Sequence, residues 1–177
     1  MSFIVDNMMK IKSGGKNDER YTRESDVAIL VRYLKPHSKI LCPFDKEWSS
    51  FVKVLMAAGH EVTFSHIDDG RDFFSYTKKE VERFDYIISN PPYSLKNEVL
   101  EHLEILEKPF AMILGAVGIF ESQRRFKILR KLDIEILIPN KRMKFNNPWG
   151  DKAENPPFSS WYICHNVLPN KIEYVEI

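Results

Sequence analysis

The sequence predicts an α/β domain: a mostly parallel sheet with helices on both faces. Three observations predict it. Short apolar runs alternate along the chain with segments of helical periodicity. Glycine, proline and acidic turn residues punctuate the junctions. The 177 residues, 44% of them hydrophobic and 29% charged, suffice for one packed core.

Residues 1–20 are polar after a short apolar start and contain Ser13-Gly14-Gly15, so they read as a flexible arm. A helix starts at Glu24 or Ser25, with Val27, Leu30, Val31 and Leu34 on one face and Pro36 ending it. Lys39 to Phe44 is the first apolar strand. Ser49 to Ala58 is a helix with Phe51, Val52, Leu55 and Met56 as its apolar residues, stopped by Gly59. Glu61 to Ile67 is a second strand, and Asp68-Asp69-Gly70 a turn. Phe84 to Ser89 is a third strand. It runs into Asn90-Pro91-Pro92-Tyr93, whose two prolines exclude helix and sheet alike.

Lys96 to Glu107 is an amphipathic helix carrying Val99, Leu100, Leu103 and Leu106. Phe110 to Leu114 is a buried strand, Ser122 to Lys131 a basic helix, and Ile134 to Ile138 a strand ended by Pro139. Asn146 to Pro157 is a polar loop. Ser160 to Cys164 is the last clear strand, and the final residues supply a short edge. Cys42 and Cys164 lie in apolar runs and read as small core residues.

The net charge of +1 points to no partner class by itself. Two local basic clusters say more: Arg124 and Arg125 within 123–131, and Lys141, Arg142 and Lys144. Each is either a solvated face or a phosphate-facing surface. No Cys/His spacing resembles a metal site, and no stretch approaches the roughly 20 apolar residues of a membrane span. The N-terminus lacks the apolar run of a signal peptide, so the reading is a soluble intracellular protein without metal.

The tetrapeptide carries the chemistry. In a parallel sheet, ligands bind beyond the carboxyl ends of the strands, where Asn90 falls. Its side-chain carbonyl is an acceptor that stays unprotonated, and the Pro91 carbonyl is a second acceptor fixed by the following proline. Two acceptors converging on one –NH2 group hold it and stabilise positive charge developing on nitrogen. Tyr93 offers a ring face for a planar base or amide. The bland alternative is a Pro-rich turn capped by an asparagine.

On these residues the chain resembles the amino-methyltransferases with an Asn/Asp/Ser-Pro-Pro-Tyr/Phe motif, and among them the small phage- and mobile-element-type adenine-N6 DNA methyltransferases. The resemblance spans roughly residues 20–166 and implies a Rossmann-like class I methyltransferase fold. It implies S-adenosylmethionine as cofactor, with Asn90, Pro91, Pro92 and Tyr93 as the catalytic residues. Tyr21-Thr22 matches a Tyr-Thr pair that packs at the methionine end of the cofactor. Pro43-Phe44 matches the Pro-Phe of the first loop, but the glycines that usually follow are absent, and Asp45 stands as a carboxylate in shifted position or as a turn residue. His66 falls where the ribose or adenine is contacted, or is an ordinary histidine. Asp72-Phe73 matches an Asp-Phe beside the cofactor adenine. Phe158 to Trp161 resembles the segment before the antiparallel last strand.

The resemblance implies a nucleic-acid partner, DNA first and RNA as the alternative, with Arg124, Arg125, Lys141, Arg142 and Lys144 reaching phosphates and Phe145 stacking. It implies residues 21–177 as one methyltransferase domain, with a minimal target-recognition segment at about 140–160. Sequence discrimination is then weak or supplied by a homodimer. The location implied is the cytoplasm of a bacterial cell or phage-infected host. The absent glycines motivate a rival expectation: a methyltransferase fold that has lost turnover and acts as a binding or inhibitor protein.

Overall fold

The computed structural model describes residues 21–146 and 158–177. The expected arm at 1–20 and residues 147–157 of the expected loop lie outside the described residues. The elements, in order, are β1 (Tyr21–Thr22), α1 (Glu24–Val31), β2 (Lys39–Cys42), α2 (Ser50–Ala57), β3 (Glu61–Phe64), α3 (Lys78–Val81), β4 (Tyr86–Ser89), α4 (Lys96–Leu106), β5 (Phe110–Gly115), α5 (Gln123–Leu132), β6 (Glu135–Pro139), β7 (Phe145–Asn146), β8 (Ser160–His165) and β9 (Ile172–Val175). No helix among the described residues is long and apolar enough to cross a membrane.

Seven strands form one sheet in the order β3-β2-β4-β5-β8-β6-β9. The pairs β2·β3, β2·β4, β4·β5 and β6·β9 are parallel, while β8 runs antiparallel to both β5 and β6. Period-two alternation splits the core between the two faces. Ile40, Cys42, Tyr86, Ile88, Ala111 and Ile113 pack with Val27, Leu30, Phe51 and Leu55 of α1 and α2. Leu41, Ile87, Phe110, Met112 and Leu114 pack with Val99, Leu100, Leu103 and Leu106 of α4 and with Ile128 and Leu129 of α5. Each buried valine, leucine, isoleucine, phenylalanine or methionine among them contributes about 1.5–3 kcal/mol by leaving water. Both cysteines are free and buried in the first of these layers.

The differences from expectation have local causes. The first strand stops at Cys42 rather than Phe44, because Pro43 has no N–H to donate. The second stops at Phe64, and His66 caps a 3-10 turn over Ile67–Asp69 by accepting from the Asp68 N–H at 3.2 Å. Met56 falls off the buried face of α2 and is exposed. The stretch between β3 and β4 is not a bare connection. It holds a 3-10 turn at Phe73–Ser75 and α3, whose start is a reciprocal capping box between Thr77 and Glu80. The pairing of β1 with β7, Tyr21 opposite Asn146 and Thr22 opposite Phe145, was not foreseen.

Candidate active site

The chain leaves β2 for β3 on one side and returns to β4 on the other. That reversal opens a crevice at the carboxyl ends of β2 and β4. The β2 side contributes Pro43 to Ser49, and the β4 side contributes the tetrapeptide. Asn90 follows the fully buried Ser89 directly, and its Oδ1 is buried. Pro91 is buried too. Pro92 opens a 3-10 turn over Tyr93–Leu95, its carbonyl accepting from the Leu95 N–H at 3.0 Å.

Tyr93 is held on three sides. Its hydroxyl lies 2.9 Å from Ser160 Oγ. Phe145 meets its ring edge-on at 6.4 Å between centroids, and Phe158 lies tilted at 5.9 Å. Phe158 in turn covers Gly115, where a Cβ would come within 2.6 Å of the phenyl ring. The end of β5 therefore tolerates no side chain while Phe158 stays in place. Phe145 itself is fully buried, so it backs Tyr93 and presents no face for stacking, a correction to the expectation.

Thr22 is buried beside Phe145 through the β1·β7 pairing, so its side chain is part of the wall and not a free contact. Tyr21 packs on Trp48 at 4.7 Å, and Trp48 is 46% exposed. Pro43 is buried and Phe44 partly so. Asp45 turns inward: it is buried, and its carboxylate accepts from the hydroxyls of Ser89 and Ser49. Burial pushes its pKa from 3.8 to about 6, with the two serine hydrogen bonds pulling the other way. As placed, it joins the loop to β4.

His66 is mostly covered and sits 3.2 Å from the Asp68 carboxylate, which also pairs with Lys46 at 2.8 Å. Asp72 caps its turn by accepting from the Phe74 N–H at 3.1 Å through Oδ1. Phe73 is 1% exposed and enclosed by Phe44, Phe74 and His102 at 4.9, 5.5 and 4.9 Å. Its ring is therefore core, while Phe44, Phe74 and His102 around it are only partly buried. His102 of α4 anchors the turn, and its desolvation lowers its pKa against the raising effects of Asp72 and of the Tyr76 and Phe73 backbone.

The two basic clusters part company. Arg124 binds Glu101 through two nitrogens at 2.5 and 2.6 Å and approaches Glu98 at 3.6 Å. Arg125 donates to Asn97 Oδ1 at 2.7 Å, to the Ile119 carbonyl at 3.1 Å and to the Gly118 carbonyl. Both expected phosphate ligands are thus turned to protein partners. Lys141, Arg142 and Lys144 are exposed on the strip leading into β7, which ends at Phe145 against Tyr93; Lys141 Nζ donates to the Ile177 carbonyl at 3.3 Å. That strip is anchored by Asp26, a buried acid on α1 not singled out from the sequence, which accepts from the Lys144 N–H. Burial raises Asp26 to about 6 as well. An open concavity of about 440 Å³ lies at the start of α5, lined by Phe120, Glu121, Ser122, Gln123, Phe126 and Lys127, and no tetrapeptide residue borders it.

No protein-family sequence model matches the chain, and no curated protein matches it significantly. Solved structures do. A modification subunit of a putative type I restriction enzyme from Vibrio vulnificus YJ016 superposes with a TM-score of 0.50 at 14% identity, over 98% of this chain and 50% of that one. The 23S rRNA methyltransferase ErmE superposes with a TM-score of 0.50 at 10% identity, over 84% of this chain and 71% of that one. The chain spans half the length of the modification subunit. At these identities the likeness is one of fold: the sheet is the Rossmann-like one on which these proteins are built.

Proposed function

We propose that this chain is an S-adenosylmethionine-dependent methyltransferase acting on the N6 amino group of adenine in DNA. The observation that carries the reading is Asn90-Pro91-Pro92-Tyr93 at the carboxyl end of β4, beside the reversal of strand order, with Tyr93 fixed by Ser160, Phe145 and Phe158. The fold's solved neighbours include a modification subunit and an RNA methyltransferase, in keeping with a nucleic-acid substrate.

The residues present suit the cofactor at the crevice rim. Tyr21 and Trp48 form an aromatic pair on the β2 side, Phe44 offers a ring, and Asp72 keeps Oδ2 for an amino group while Oδ1 caps its turn. S-adenosylmethionine supplies an electrophilic methyl group on sulfonium. Asn90 Oδ1 and the Pro91 carbonyl accept from the two N–H groups of the target amine, orienting its nitrogen and stabilising the positive charge it acquires. Tyr93 packs against the unstacked base, as required of an enzyme that takes a base out of the helix. Lys141, Arg142 and Lys144 reach phosphates and set position without reading sequence.

Transfer of labelled methyl groups to duplex DNA, single-stranded DNA and RNA, assayed in parallel, tests the reading. Duplex DNA is expected to be the best substrate, and Asn90→Ala to lower the rate about 10²–10³-fold. Undiminished transfer by Asn90→Ala rules the mechanism out, and preference for RNA moves the substrate to the neighbouring class.

One observation favours a second reading, a binding protein without turnover: Asp45 and Phe73, both expected to touch cofactor, face inward. Calorimetry decides between the two. No heat of binding with millimolar S-adenosylmethionine selects the second.

A further inference from the structure

Three segments that are separate in sequence meet at Asp45. Its N–H donates to the Ser65 carbonyl at 3.1 Å, and the Ser65 N–H returns a bond to the Cys42 carbonyl at 3.1 Å. That exchange ties the end of β2 to the end of β3. The Asp45 carboxylate accepts from Ser49, whose own Oγ accepts from the Val52 N–H at 3.4 Å and so caps α2. The same carboxylate accepts from Ser89, the last residue of β4. Asp45, Ser49 and Ser89 are 6%, 6% and 0% exposed, so water does not compete for these bonds.

We infer that Asp45 is a positioning residue: through Ser89 it fixes Asn90 relative to the β2 loop across the crevice. The inference rests on the methyltransferase reading for what Asn90 does, but the coupling itself is independent of turnover. A serine one peptide bond before Asn90, anchored to the opposite wall, sets where the asparagine amide stands. A carboxylate suits the task because it accepts from two hydroxyls at once. This differs from the role the resemblance implied, in which Asp45 contacts cofactor directly.

The two roles make opposite predictions. Ser89→Ala severs the tie to Asn90 and leaves Asp45 in place. It is expected to lower kcat about 10–100-fold, the scale of a small misplacement of a reacting group, while the calorimetric Kd for S-adenosylmethionine stays within about twofold of wild type. If Ser89→Ala is silent and Asp45→Asn instead weakens cofactor binding, Asp45 is a cofactor ligand and the inference is overturned. A second readout needs no activity. The side-chain amide resonance of Asn90, identified by its disappearance in Asn90→Ala, is expected to shift or broaden in both Ser89→Ala and Asp45→Asn. An unchanged resonance overturns the inference even in an active enzyme. A resonance that changes in both variants, when the wild-type protein transfers no methyl group, removes the methyltransferase reading and leaves the coupling standing.

Discussion

Two buried carboxylates stand at opposite ends of the same sheet, and they are satisfied in different ways. Glu135 opens β6, at the amino ends of the parallel strands. Its oxygens accept from the N–H groups of Asn166, Val167 and Leu168 at 3.1, 2.9 and 2.8 Å. Asp45 follows β2 at the carboxyl ends and relies on two serine hydroxyls. Backbone donors are fixed by the fold, whereas hydroxyls rotate. Burial holds Asp45 at about 6, so the crevice end carries a group that the fold solvates incompletely. The difference is between an end built for stability and an end where stability is given up for placement.

The largest effect expected at the stable end is that of Glu135→Ala. It leaves three backbone donors without their acceptor, and each costs about 1–3 kcal/mol when buried. Because Asn166 is exposed and regains water, a total loss of about 3–5 kcal/mol is expected in urea melts. Glu135→Gln keeps one oxygen and falls between. A loss under about 1 kcal/mol for the alanine variant collapses the contrast between the two ends.

The next effect concerns pH at the crevice end. The Asp45 pKa is raised from 3.8 to about 6 in the fold. Below pH about 4 the group is protonated in both folded and unfolded chains. As pH rises through 4 to 6 the unfolded chain releases its proton first, so stability falls, and the loss is complete above about 6. The displacement corresponds to about 3 kcal/mol. Asp26, raised for the same reason, adds a loss of the same sign. Comparing urea melts at pH 4.5 and 7.5, Asp45→Asn is expected to retain more stability on going to the higher pH than wild type does. An identical pH dependence in both proteins argues that the carboxylate is not strained.

The sheet and the tetrapeptide were legible because both are local. Apolar runs mark β2, β4 and β5, and two prolines mark the turn at Asn90. What was not legible depended on distant partners. The strands β1 and β7 are two residues each and have no periodicity to betray them. The resemblance puts both Asp72 and Phe73 beside the cofactor adenine, but only packing decides that Phe73 goes inside and Phe44 partly outside. Asp45 is an ordinary turn acid until Ser89 and Ser49 close on it. The fate of Arg124 did leave a signal: Glu98, Glu101 and Glu104 recur every three residues on α4, and Arg124 and Lys131 of α5 answer them.

That signal leads to the smallest predicted effect. Arg124 is about half exposed, so its pairs with Glu101 and Glu98 are screened, and Arg124→Ala is expected to cost about 0.2–1 kcal/mol, less at high salt. Its charge is already compensated, so DNA affinity should hardly change. Lys144 differs in kind: its backbone is tied to Asp26 while its side chain is exposed beside the Tyr93 wall. Lys144→Ala is expected to weaken DNA binding alike for all sequences and to lower the salt slope by about one. Titrations at several salt concentrations compare the two. If Arg124→Ala changes the slope and Lys144→Ala does not, the nucleic acid lies along α5, and the face beside the tetrapeptide loses its claim.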